Sequence, residues 1–152
     1  MNKPDKKYII WSLSYLIAGL AAGVYYREFS KAFGYVNSYT PLGLAHPHLL
    51  VLGMIMMIIF GFLSESLLSK SKHQTIAFSL YNAGVISTAL MLIIRGTFDV
   101  MSKGSDFVLP TAAGKVISIF SGVSHVVLAA GIIYYFVLFI KSYSNKGKAE
   151  NQ

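Results

Sequence analysis

The chain has no cysteine among its 152 residues, which excludes disulfides, thiolate metal ligands and cysteine nucleophiles while leaving the redox compartment open. Charge is also scarce. Asp, Glu, Lys and Arg make up 12% of the sequence, with 6 acidic residues against 13 basic ones. No carboxylate falls in the middle of a long apolar run, which argues against a carboxylate proton relay. Hydrolytic catalysis is poorly supported for the same reason, and no serine has a convincing charge-relay partner.

What is abundant is apolar surface: 55% of residues are hydrophobic and the mean hydropathy is +0.58, values foreign to an ordinary soluble domain. A bilayer core about 30 Å thick needs roughly 20 apolar helical residues to cross it. Four segments qualify: Tyr8–Tyr26, Leu44–Leu68, Thr75–Ile94 and Ala112–Ile140. The expected fold is all-α, a bundle of four transmembrane helices forming one domain over residues 1–152, with no internal repeat. The first segment has the basic start, apolar centre and small residues near Ala22 of a signal peptide, and is read as a retained span.

The distribution of cations predicts both termini on the cytoplasmic side of a bacterial cytoplasmic membrane. Lys3, Lys6, Lys7, Lys70, Lys72, Lys141, Lys146 and Lys148 would then lie inside, and Arg27, Lys31, Arg95, Lys103 and Lys115 outside. The formal net charge of +7 reads as topology and attraction to anionic lipid, worth about 1 kcal/mol per basic residue near the surface, and not as nucleic-acid binding.

Three of the four histidines carry the functional argument. His46 and His48 flank Pro47 in "HPHLLVLGM" at the start of the second span, and His125 lies inside the fourth, in "SHVVL". Counting 16 residues back from Lys141 puts His125 roughly 24 Å from the inner end of its helix, and 17 residues from Glu65 put His48 roughly 26 Å from the end of its own. The two rings can share a depth. A histidine near a helix end can equally be an interfacial residue, or bond a serine or carbonyl across helices; His73, in the "SKSKHQ" loop, is read that way. His125 differs because ionisable residues within a span are rare, costly and usually face a site or cavity.

Along one face of the fourth helix His125 is accompanied by Ser118, Ser121, Gly122 and Ala129. Such a strip lets helices approach, as Gly19 and Gly23 do in the first span, or leaves room for a flat cofactor with the imidazole as ligand. Haem fits these pieces best: its iron takes an imidazole on each face, its macrocycle wants an apolar slot and its propionates want cations. His48 and His125 are the candidate axial ligands, Met54, Met56, Met57, Phe60, Phe62 and Phe120 candidate slot residues, and Arg27 and Arg95 candidate propionate partners, unless both arginines simply snorkel to the headgroups.

Pro47 makes the paired histidines unequal. On a continuous helix residues two apart point about 200° away from each other, so one metal cannot readily take both. If Pro47 occupies the first turn, His46 is pushed off the helix. If instead Thr40 and Pro41 start it, Pro47 kinks it. His48 is the better axial candidate in either case.

Together "HPHLLVLGM", "YREF", "IRG" and "SHVVL" resemble, along the whole chain, a family of small four-helix membrane proteins of unknown function from Gram-positive bacteria. The His-x-His opening, the leucines after it and Gly53 are also similar to small proteins related to cytochrome c oxidase subunit I and to nitric-oxide-response haem-copper membrane proteins. That second resemblance rests on the short motif and the helix count. It implies haem, and in some members copper, at His48 and His125, and less firmly at His46. Oxygen reduction would need more metal-binding histidines than one chain contains.

The resulting expectation is a haem b protein of the bilayer, for electron transfer if six-coordinate or for binding oxygen or nitric oxide if one position is open, with a redox partner or a second copy as associates. Two alternatives stand beside it. One is a copper or zinc site of His46, His48 and His125; the other is a cofactor-free transporter or assembly subunit with a polar path through Asn82, Ser87 and His125.

Overall fold

The computed structural model describes residues 5–35, 39–68 and 71–150, the last five of these through their backbone alone. Lys3 and Lys70, used above to orient the chain, lie outside the described residues, as do the side chains of Lys146 and Lys148. Among the described residues all regular structure is helical: α1 (Lys6–Ala32), α2 (Leu42–Pro47), a π-helical stretch (His48–Ile55), α3 (Met56–Leu67), α4 (Lys72–Gly104) and α5 (Thr111–Glu150). The second, third and fourth of these run on as one span, Leu42–Leu67, so four helices are long and apolar enough to cross a membrane. The all-α four-span expectation holds.

Local chemistry sets the ends. The Asp5 side chain accepts the Lys7 N–H at 3.1 Å and caps α1, and Ser71 accepts the Gln74 N–H at 3.3 Å at the start of α4. The chain leaves α1 through Gly34, whose φ of +65° is a conformation that glycine adopts without steric cost. Three helices outrun the apolar segments expected for them. The largest difference is α4, expected to end at Ile94 and continuing to Gly104. Its last ten residues, "RGTFDVMSKG", are too polar to extend an apolar run but contain no proline, and Asp99 and Lys103 pair one turn apart at 2.9 Å. At 33 residues the helix is about 50 Å long, so its last turns stand clear of the hydrocarbon. Hydropathy marks the part of a helix inside lipid and is blind to the rest.

Short connections make neighbouring spans antiparallel. One end of the bundle, the terminal end, gathers the start of α1, the end of α3, the start of α4 and the later part of α5. The opposite, loop end holds residues 33–35, 39–41 and 105–110. The second span packs against α1, α4 and α5, and α4 packs along α5. Glycines permit the α4–α5 approach: a Cβ on Gly131 would stand 2.7 Å from the Cα of Tyr81, and one on Gly84 would strike the backbone of Leu128.

In the terminal half, one phenol ties all four spans together. Tyr8 of α1 donates to Ser64 Oγ of α3 at 3.1 Å, receives Gln74 Nε2 of α4 at 3.4 Å and lies 3.1 Å from Tyr135 Oη of α5. Because the single Tyr8 proton goes to Ser64, Tyr135 must be the donor in its pair, and the oxygen is then saturated with one bond given and two received. Phe60 stacks on Tyr135 with ring centres 4.3 Å apart and meets Tyr81 edge-on at 5.0 Å. A few residues further in, Tyr15 donates to Asn82 Oδ1 at 2.6 Å, and Tyr81 donates to the Leu52 carbonyl. All of these rings are buried, so apolar burial and hydrogen bonding reinforce each other here.

Candidate functional site

The second span starts at the upstream alternative. Thr40 Oγ1 accepts the Leu42 N–H at 3.4 Å, α2 begins at Leu42, and Pro47 lies inside the helix. Proline lacks an N–H and crowds the carbonyl four residues before it. The helix answers by widening: the eight residues from His48 to Ile55 are π-helical. Both histidines therefore stay on one continuous helix and diverge.

His46 turns to α1. Its Nδ1 lies 2.8 Å from the Gly19 carbonyl, and a Cβ on Gly23 would stand 3.1 Å from the same nitrogen. The small residues of "GLAAG" thus let the second span, and His46 with it, approach α1. His48 turns the other way, to α5, where its ring centre is 6.4 Å from that of His125 with the planes at 81°. Of the three candidate histidine ligands, the structure brings together His48 and His125 and leaves His46 on another face.

The hydrogen bonds also set the tautomers. His48 Nδ1 is 2.8 Å from the Leu44 carbonyl and His125 Nδ1 is 2.7 Å from the Ser121 carbonyl, each one turn back on its own helix. A carbonyl can only accept, so Nδ1 carries the proton and the neutral ring keeps its lone pair on Nε2. This is the usual preparation of a metal-binding imidazole, held by one nitrogen and offering the other. His125 is exposed on the outside of the chain and His48 half-buried. Beside His125, nothing stands within 4 Å of where a Gly122 side chain would begin, so the small-residue strip of α5 is open.

Two cavities lie on the loop-end side of the pair, and His125 lines the smaller of them. One of about 230 Å³ is lined by His125, Ser121, Arg95, Leu44, Met91 and Leu92, together with Tyr39 and Pro41. The other, of about 700 Å³, lies towards the loop end between α4 and α5 and also includes Arg95, now with Lys115, Asp99 and Ser118. Arg95 is thus common to both. Arg27 lines neither; its side chain is 71% exposed and 3.6 Å from Glu28.

The six expected slot residues go elsewhere. Met57 and Phe60 are fully buried in the aromatic core of the terminal half, Phe62 and Phe120 point outward, and Met54 and Met56 pack against that core. The apolar wall beside His125 comes from Leu44, Met91 and Leu92. His73 also moves: it lies in the first turn of α4, not in a loop, with Nδ1 2.8 Å from Tyr134 Oη. Asn82 and Ser87 are each satisfied locally, Asn82 by Tyr15 and the Phe78 carbonyl and Ser87 by the Gly84 carbonyl. No hydrogen bond among the described residues links them to His125. Nor do the described residues contain a group of three His, Asp or Glu side chains able to hold a metal ion.

Lys115 stands one turn before Ser118 on the His125 face of α5, so its place in the cleft has a signal in the sequence, whereas Tyr8, Gln74 and Tyr135 have none.

Fold and site together define a multi-pass membrane protein of four helices with a prepared histidine pair in one half. The chain belongs to a family described as protein of unknown function (DUF2871), which matches residues 5–142. Neither the curated proteins nor the solved structures contain a match.

Proposed function

We propose that the protein binds haem b between the second span and α5, with His48 and His125 as axial ligands, in a bacterial cytoplasmic membrane with both termini on the cytoplasmic side. The observation that carries this reading is the 6.4 Å between the two ring centres, with both Nδ1 atoms engaged by carbonyls. A metal–nitrogen distance of about 2 Å, plus roughly 1 Å from nitrogen to ring centre on each side, means that one metal ion held by both rings would need their centres within about 6 Å of each other. Two imidazoles complete a haem iron, whose other four ligands are the macrocycle's own. A four-coordinate zinc would need further protein ligands, and the separation of His46 from the pair weighs against the three-histidine copper or zinc alternative.

Haem, when bound, supplies an iron that exchanges single electrons or takes up a diatomic gas. The chain's part is to hold it. His48 and His125 orient through their own helix carbonyls, Leu44, Met91 and Leu92 exclude water, and Arg95 offers a cation to a propionate. The 230 Å³ cavity is smaller than the about 300–1,000 Å³ of ordinary small-molecule sites. A macrocycle held there would need the open strip of Gly122 and the Arg95 cleft as further room. With both histidines engaged the iron suits electron transfer; with one released it suits oxygen or nitric oxide. An absorbance spectrum of protein purified from haem-replete cells is the test. A Soret band with split visible bands on reduction is expected, and a spectrum with no Soret band would overturn the reading.

A further inference from the structure

We propose that the cleft between the end of α4 and the start of α5 binds the oxyanion of an amphiphile, a phosphate or a carboxylate, through Arg95 and Lys115. At about 700 Å³ the cleft falls within the range of about 300–1,000 Å³ usual for small-molecule sites. Neither cation has an ion-pair or hydrogen-bond partner among the described residues. The carboxylate that shares the cleft, Asp99, is already held by Lys103 at 2.9 Å through Oδ1. Its Oδ2 is buried without a partner, an acceptor for a hydroxyl or ammonium next to the oxyanion. The lining therefore keeps an excess of positive charge.

Arginine's planar fork matches the two oxygens of a carboxylate or phosphate, and lysine adds a point charge. Phe98, Leu109 and Ile117 line the same cleft and give the apolar part of the ligand a surface, which is why an amphiphile fits better than a free ion. Two sources share this chemistry: the headgroup phosphate of an anionic phospholipid, and a propionate of the proposed haem reaching over Arg95 from the cavity beside His125. Only the second source rests on the haem reading.

The test uses the full chain, its R95Q/K115Q variant and the charge-preserving R95K/K115R variant, in two arms. Thermal unfolding is followed with short-chain phosphatidylglycerol and with phosphatidylcholine of the same chain length. Binding of hemin is followed by its Soret band. The proposal expects wild type to be stabilised by several degrees more by phosphatidylglycerol than by phosphatidylcholine, or to bind hemin at least tenfold more tightly than R95Q/K115Q. The charge-preserving variant retains most of whichever response wild type has, which separates loss of charge from loss of fold. If wild type takes no hemin, the haem reading fails alone and the lipid arm decides the cleft. The proposal is overturned if wild type favours neither lipid nor hemin, or if R95Q/K115Q responds as wild type does in both arms.

Discussion

Tyr8 and His48 sit in opposite halves of the same bundle, and their surroundings differ in kind. Around Tyr8 the hydroxyls and amide of four spans are mutually satisfied and the aromatic rings are stacked and buried. Around His48 the two imidazoles are tethered by one nitrogen each and His125 is exposed, and from His125 towards the loop end two cavities share Arg95. Among the described residues, the buried side-chain oxygens without a partner, on Ser30, Thr88, Asp99 and Ser121, lie from the middle of α4 to the loop end, and none lies in the tyrosine half. The contrast teaches a division: a closed half whose polar groups satisfy one another across the spans, and an open half that keeps unpartnered polar groups and cavities, which is where the proposed ligands are placed.

That division can be broken at graded points. The largest effect is expected from Gly84→Leu, which drives a side chain into the Leu128 backbone and separates α4 from α5 throughout. A loss of about 3 kcal/mol or more should appear as loss of the monodisperse peak in size-exclusion chromatography. Next comes Tyr8→Phe, which removes one oxygen and leaves Ser64, Gln74 and Tyr135 to find other partners. Interhelical hydrogen bonds of this kind are worth about 1–2 kcal/mol at most. Unfolding in denaturing detergent should shift by that amount while any haem spectrum stays unchanged; a spectrum altered by Tyr8→Phe would mean that the halves are not separate. The smallest effect is expected from Arg27→Gln. This side chain is 71% exposed with a partner at 3.6 Å, so stability should change by less than about 0.5 kcal/mol and hemin affinity should match wild type. A tenfold loss would return Arg27 to the site.

The parts of this arrangement differ in how far the sequence discloses them, for physical reasons. Four spans are legible because crossing lipid demands a run of apolar residues, and the divergence of His46 from His48 follows from helical geometry once both are on one helix. The second span starts after Pro41, with Pro47 inside the helix just before the π-helical stretch, and two competing local signals alone do not resolve that. The extension of α4 is hidden because its last turns are polar. The tyrosine junction is hidden because its partners lie 56, 66 and 127 residues from Tyr8, and a tyrosine in an apolar run looks the same whether it faces lipid or three other helices. The cleft at Arg95 was half legible: the arginine is visible as a cation at a span end, but its company with Lys115 depends on how α4 and α5 pack.

The most direct measurement compares reduced absorbance spectra of His46→Ala, His48→Ala and His125→Ala prepared side by side. His48→Ala and His125→Ala should each lose the split bands of a six-coordinate haem and recover them on addition of imidazole, while His46→Ala, which loses only its bond to the Gly19 carbonyl, keeps the wild-type spectrum. A spectrum abolished by His46→Ala but retained in either of the other two would contradict the assignment of the pair.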